Sequence, residues 1–295
     1  MSTQIKPLTL PPILKLLRPH HWIKSSFIAA PLFFTPSELN WPNVAMIAMG
    51  ILVWSMIASA IYILNDWRDV ESDRQHPVKC KRPLAAGTVS TQTAFVLMAG
   101  LALGSAVAAT CLSPLFAVYL GVYAAINLAY SFRLKYIAVI DVMCIAAGFV
   151  LRVEAGAVLI GIETSAWIII LTGLLALFLG FAKRRDDVVR LLGTEHRKSL
   201  DGYSRNFIDT VLAITLGAAL VSYLIYTTDP NVMERLGSTK LFYTAPFVIY
   251  GMLRYLQITM VKERSGSPTL IILTDKPIIA AGIGWLLTFA WLIYQ

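Results

Sequence analysis

The densest chemistry in this sequence lies in Asn65-Asp66-Trp67-Arg68-Asp69-Val70-Glu71-Ser72-Asp73, directly after a long apolar run. On a continuing helix Asp66, Asp69 and Asp73 fall at i, i+3 and i+7, so the three carboxylates project from one face, and Asn65 and Asp69 pair at i, i+4. Three like charges on one stripe repel unless cations neutralise them. Oxygen ligands in this pattern suit Mg²⁺, which is usually held by a few carboxylates together with substrate phosphates and water. At 1.5 Å per residue the stripe is about 10 Å long, enough for one or two ions bridging a diphosphate. The chain continues through His76-Pro77-Val78-Lys79-Cys80-Lys81-Arg82-Pro83-Leu84-Ala85-Ala86-Gly87, which sets three cations just after the acids. The plainer alternative is a solvated loop at an ordinary helix end.

Membrane helices must position these residues. The chain has 295 residues, of which 57% are hydrophobic and only 14% charged, with mean hydropathy +0.67. A soluble domain carries about a quarter charged side chains, so most of this chain belongs in lipid. Apolar runs at Trp22–Thr35, Val44–Leu64, Thr91–Cys111, Pro114–Tyr130, Ile137–Gly161, Ala166–Ala182, Phe207–Tyr226, Leu241–Ile258 and Pro277–Tyr294 give nine expected spans. The first is short and interrupted by Pro31, which leaves eight or ten as alternatives. Nine spans of about 20 residues leave room only for loops. The expected fold is therefore an all-α polytopic membrane protein, one domain over 1–295, with site-forming loops at about 65–90 and 183–205.

Composition excludes a disordered, fibrous or disulfide-stapled chain. Cys80, Cys111 and Cys144 are odd in number and have no paired spacing. Met1 to Lys15 is polar and proline-bearing, which is not the pattern of a removable signal peptide. Of the 25 lysines and arginines, 22 fall in the segments Met1–Lys24, Asn65–Ser90, Ser131–Tyr136, Lys183–Arg205 and Arg254–Lys276, all on one side of a nine-span bundle. The positive-inside rule makes that side cytoplasmic, together with the N-terminus. Membrane orientation thus accounts for the net charge of +8 without nucleic acid.

Other polar residues stand out against this background. Asp141, Arg152 and Glu154 lie in the fifth apolar segment, where charged side chains are costly and face a cavity or one another. Asp141 and Arg152 are eleven residues apart, about three turns, and so share a face. After the sixth segment come Lys183-Arg184-Arg185-Asp186-Asp187-Val188-Val189-Arg190. Adjacent acids point in different directions on a helix, so at most one joins a common face, and Lys183 can pair with Asp187 at i, i+4. Tyr203 reads equally well as part of a lid or as loop packing, Asp275 as a cap ahead of Pro277, and His20 and His21 as interface residues.

Asn65, Asp66, Asp69 and Asp73 match the NDxxDxxxD signature, and Arg82-Pro83-Leu84-Ala85-Ala86-Gly87 the RP(L/I)xxG continuation, of the UbiA superfamily of intramembrane prenyltransferases, which the chain resembles over nearly its full length. His21-Trp22-Ile23-Lys24, Tyr130-Ser131-Phe132-Arg133-Leu134-Lys135 and Leu151-Arg152-Val153-Glu154-Ala155-Gly156 point to the branch that moves 5-phosphoribose rather than a prenyl group. The resemblance implies a helical bundle with a central cavity open to the cytoplasm and to lipid, in a bacterial inner membrane. It implies Mg²⁺ as cofactor, bound with diphosphate by Asp66, Asp69 and Asp73 and supported by Asn65. It further implies transfer from phosphoribosyl diphosphate to decaprenyl phosphate or a similar polyprenyl phosphate, with diphosphate released and a product that feeds cell-wall arabinogalactan synthesis. Lys24, Arg82, Tyr130, Lys135, Asp141, Arg152, Lys183, Arg184 and Asp187 are the residues expected to bind substrate or phosphate. One departure is notable: the second DxxxD motif of ordinary prenyltransferases is replaced by Asp186-Asp187, which favours cationic recognition of phosphate. Prenyl transfer to an aromatic acceptor remains the alternative, with a transporter behind it.

Overall fold

The computed structural model describes residues 11–191, 202–263 and 266–294. The start of the chain and the 192–201 part of the second loop lie outside the described residues. Thirteen α-helices follow one another among those described: α1 Pro12–Leu17, α2 Ala30–Phe33, α3 Trp41–Arg68, α4 Val70–Gln75, α5 Thr91–Leu112, α6 Pro114–Phe132, α7 Ile140–Leu159, α8 Ala166–Leu191, α9 Arg205–Thr228, α10 Pro230–Leu236, α11 Ala245–Met260, α12 Pro268–Thr274 and α13 Lys276–Ile293. Seven of them, α3, α5 to α9 and α13, are long and apolar enough to cross a membrane. The protein is an all-α, multi-pass membrane protein, as expected, since in lipid a helix satisfies all its own backbone groups.

The first and eighth expected spans take a different form. Pro19–Ala29 is a 3-10 helix running into the short α2, and Leu241–Thr244 is a 3-10 turn leading into the sixteen residues of α11. Proline sits at the start of each α-helical part, as Pro31 and Pro246. Nine continuous helices are therefore not what forms. At about 2.0 Å rise per 3-10 residue, Pro19–Phe33 still covers nearly the thickness of a hydrocarbon core.

Helix ends follow local sequence. Asn40, Ser90, Ser113, Ser204 and Asp275 each accept a hydrogen bond from a backbone N–H in the first turn of the helix they precede. Asp275 also takes Arg254 at 2.9 Å, and that guanidinium holds its carboxyl below the usual carboxylate range.

Sequential helices pack side by side from α5 to α9, and α11 packs on both α9 and α13. The last helix returns to the first segment: Trp285 and Phe289 meet Phe33 and Phe34, and the Tyr294 hydroxyl donates to the Phe33 carbonyl at 3.1 Å. The spans thus close into a ring. Within it α3 and α7 are the most enclosed and α5 the least. One core joins the first segment, α3, α6 and α7 through Ile28, Trp54, Phe116, Tyr123 and Ala155, and a second joins α7, α8, α9 and α11 through Val142, Phe178, Ile208, Leu212 and Tyr255.

The first segment lies against α7 at backbone distance. A Cβ at Gly156 would stand 2.0 Å from the Ile28 carbonyl oxygen, which backbone cannot yield, whereas one at Gly217 on α9 meets nothing within 4 Å. Gly156→Ala is therefore expected to destabilise the fold by about 2 kcal/mol or more, while Gly217→Ala is neutral or slightly stabilising. Thermal unfolding of the purified protein in detergent measures both.

Candidate functional site

α3 runs to Arg68, and Asp69 (ψ 7) marks a break before α4, yet the Asp69 and Asp73 amides still bond to the carbonyls four residues back. The acidic stripe keeps its helical spacing across the break. Asp66 and Asp73 are both buried, and the Arg82 guanidinium bridges them at 3.1 and 2.6 Å. Lys79 stands 4.0 Å from Asp73, and Arg18 forms an ion pair with Asp66. Asp69 has another environment: it is partly exposed and pairs with Lys135 at 2.9 Å. Asn65 contributes its carbonyl to the Asp69 amide.

Local sequence brings the cations to these acids. Arg82 precedes Pro83, which excludes the helical conformation, and it is extended (φ −67, ψ 144). The chain then turns back at Gly87 (φ 69), where a side chain would be strained, and buries Leu84 and Val89 against Leu16 and Ile63. The Arg82 loop is thereby a packed cap on the end of α3. Arg18 closes α1 in the left-handed region (φ 53) and lays its guanidinium 5.1 Å from the Tyr62 ring centre. Arg68 donates to the Ser131 and Phe132 carbonyls at the end of α6, docking α3 beside the turn that holds Lys135.

A second group forms where α6 and α8 end and α7 begins. Arg184 donates to Asp141 at 2.6 Å, to Asp187 at 2.9 Å and to the Tyr130 hydroxyl at 3.4 Å. Asp186 points elsewhere and lies against Gly266, so of the adjacent acids Asp187 alone joins this group. Arg185 also points away, to Asp209 at 2.6 Å and the Thr259 carbonyl at 2.7 Å, and fastens α8 to α9 and α11. Lys183 stands within electrostatic range of His21.

Asp141 is aimed by a strained turn. Val139 has φ 70 and ψ −49, and the Ile140 amide donates to the Ala138 carbonyl at 2.8 Å, a tight γ-turn that β-branched residues rarely adopt. The Tyr203 hydroxyl holds this turn by accepting the Val139 amide at 2.7 Å while donating to Asp141. Burial, and after it the hydrogen bond to Asp141, pushes the Tyr203 phenol well above its ordinary range, so it remains a donor at physiological pH.

Arg152 sits deeper and 5% exposed, donating to the Gly148 carbonyl at 2.5 Å and the Tyr123 hydroxyl at 2.9 Å among the rings of Trp54, Tyr123 and Phe149. It shares a helix with Asp141 but not its cluster. Lys24 is within electrostatic range of Arg152 and Arg18. Beyond lies an open cavity of about 510 Å³ with almost wholly apolar walls, among them Phe27, Phe34, Leu171, Tyr226 and Trp285.

Among the described residues no three carboxylate, imidazole or thiol side chains converge as a ready metal cage. What converges is two buried carboxylates bridged by one cationic group, and that donor set fits Mg²⁺ completed by substrate phosphate and water. Residues 25–269 match the UbiA prenyltransferase family. The chain belongs to this family. A UbiA homolog from Archaeoglobus fulgidus solved with GPP and Mg²⁺ bound has the same fold, with TM-score 0.71 at 19% identity over 97% of this chain and 100% of that one. The decaprenyl-phosphate phosphoribosyltransferase of Mycolicibacterium smegmatis is 33% identical over 100% of this chain and 98% of its own length, and that of Corynebacterium glutamicum 33% identical over 96% and 86%. As a UbiA protein with these relatives, the chain is a membrane transferase.

Sequence reasoning passed over Arg18, which stands with Asp66, and gave Tyr203 no fixed role. The signal for Arg18 was a cation immediately before Pro19 and the first apolar run; the contacts of Tyr203 span 62 residues and leave no local trace. Tyr203→Phe strips a donor from a buried carboxylate and is expected to destabilise the UbiA fold by about 1.5–3 kcal/mol, against less than about 0.5 for Tyr250→Phe on the exposed face of α11. Denaturation midpoints of the two variants decide the point.

Proposed function

We propose that this UbiA protein transfers 5-phosphoribose from phosphoribosyl diphosphate to decaprenyl phosphate or a similar polyprenyl phosphate, releasing diphosphate. The observation that carries the reading is full-length similarity to decaprenyl-phosphate phosphoribosyltransferases combined with an Arg184 cluster where prenyltransferases place a second acidic motif. Three phosphate-bearing groups meet in this reaction: the diphosphate, the ribose 5-phosphate and the acceptor phosphate. Lys24, Arg82, Lys135, Lys183 and Arg184 supply the compensating charge.

In this reading Asp66, Asp69 and Asp73, with Asn65, hold Mg²⁺, which supplies charge neutralisation at the diphosphate as it leaves. Arg18 and Arg82 are already seated on the same carboxylates and are placed to grip diphosphate oxygens. Arg184, held by Asp141 and Asp187, joins Tyr130 and Lys135 in fixing the 5-phosphate. An acceptor phosphate oxygen forms the bond to C1 as the bond from C1 to the diphosphate oxygen breaks, with inversion. The acceptor is ionised near neutral pH, so no protein base is needed. The apolar cavity takes the isoprenoid tail. The distribution of lysine and arginine supports a charged end facing the cytoplasm; in this reading the membrane is a bacterial inner membrane and one domain over 1–295 carries both site loops.

Purified protein incubated with Mg²⁺, phosphoribosyl diphosphate and decaprenyl phosphate is expected to yield, by mass spectrometry, a lipid heavier by one ribose 5-phosphate with one diphosphate released. EDTA should stop turnover and added Mg²⁺ restore it. A folded, metal-replete protein that leaves this lipid unmodified but prenylates an aromatic acceptor would refute the reading. Asp66→Asn and Asp73→Asn are each expected to lower kcat/KM about a hundredfold or more while membrane insertion persists; turnover near that of the parent protein would remove these residues from the metal site.

A further inference from the structure

Most cations at the charged end are paired with acids: Arg18 and Arg82 with Asp66, Lys135 with Asp69, Arg184 with Asp141 and Asp187. Arg152 differs. It lies mid-helix inside the bundle, its hydrogen bonds go to a carbonyl and a phenol, and it meets no carboxylate among the described residues. Its Nε–H is buried without an acceptor, and so is the indole N–H of Trp54, whose ring stands 5.7 Å from the guanidinium. The second cation in range, Lys24, likewise has no acidic partner among the described residues. A buried charge is costly unless paired, and ring faces compensate a guanidinium only in part. Two cations in electrostatic range and two idle donors in the middle of a membrane bundle suit an anion that the protein itself does not supply.

The surroundings identify that anion. Phe149, one of the rings around Arg152, packs edge-on against Phe27 at 4.9 Å, and Phe27 is a wall of the apolar cavity. A single aromatic pair therefore stands between Arg152 and the apolar space. An amphiphile with a compact anionic head and a long apolar tail fits this arrangement, whereas the soluble donor has no apolar part for it.

We propose that Arg152 and Lys24, with Trp54 beside them, bind the phosphate of the polyprenyl acceptor, that its tail passes the Phe27 and Phe149 rings into the cavity, and that the donor's phosphates are left to the paired cations at the helix ends. The assignment rests on the reading above for the identity of the acceptor, but it does not depend on which donor is used.

Binding to the full-length protein in detergent tests it without turnover. Farnesyl phosphate, farnesol and inorganic phosphate serve as probes in thermal-shift and equilibrium titrations. Farnesyl phosphate is expected to bind more tightly than either other probe, and Arg152→Gln and Lys24→Gln are each expected to raise its Kd about tenfold or more while the Kd of phosphoribosyl diphosphate changes less than about twofold. Arg152→Lys should retain part of the affinity. Equal binding of farnesol would overturn the proposal, since no phosphate contact is then present. Equal binding of inorganic phosphate would do the same, because the tail then contributes nothing. Loss of donor affinity with unchanged farnesyl phosphate binding would assign Arg152 to the donor and also refute it. Should Arg152→Gln fail to fold, Lys24→Gln on the first segment decides alone. Intact farnesyl phosphate binding without transfer from phosphoribosyl diphosphate would count against the proposed reaction and leave the acceptor site standing.

Discussion

The charged end of this bundle depends on one arrangement: two buried carboxylates, Asp66 and Asp73, held to a single guanidinium. Carboxylates so enclosed repel each other and lose their water, so they persist only with a cation between or beside them. Arg82 meets that need from a different part of the chain, which is why the stretch after α4 has to fold back onto the end of α3. Its fold is correspondingly tied down, by the extended residue ahead of Pro83, the turn at Gly87, and Leu84 and Val89 in a small core of their own. In the proposed reaction the same guanidinium groups that neutralise these carboxylates would also be the ones to meet the diphosphate.

The cations fall into two classes by partner. Those at the helix ends are engaged with carboxylates, which offset most of their charge. Arg152 and Lys24, further in, are not. Charge thus becomes less compensated with depth, opposite to the order that solvation alone would favour. The scaffold accommodates it because α3 and α7, which carry Trp54, Asp66, Asp141 and Arg152, are the helices most enclosed by protein and least exposed to lipid.

Much of the fold was legible in the sequence because hydropathy reports directly on the solvent. α5 at Thr91–Leu112 and α6 at Pro114–Phe132 follow their apolar runs to within two residues, and the cap at Asp275 follows from its place before Pro277. Hydropathy does not distinguish a 3-10 from an α backbone, and so the first and eighth spans were expected as ordinary helices. At the site, the acidic stripe was legible because its members are close in sequence. The bridge between Asp66 and Asp73 was not, since Arg82 reaches them through a tertiary turn. Nor was the separation of Arg184 from Arg185, adjacent residues that reach different neighbours, Asp141 on α7 and Asp209 on α9.

The 3-10 backbone of the first segment, Pro19–Ala29, sets which of its side chains share a line. With three residues per turn, side chains three apart in a 3-10 helix stand in line, whereas in an α-helix the same residues drift by about 60° at each step. In Pro19–Ala29 this spacing aligns His21, Lys24 and Phe27. His21 lies in range of Lys183 at the end of α8, Lys24 in range of Arg152 on α7, and Phe27 walls the apolar cavity. One stripe therefore runs from the charged end, past Arg152, to the apolar space. Gly156 fixes the depth of that stripe by letting α7 approach the Ile28 carbonyl, so the segment cannot slide without separating the charged part of the site from the apolar one.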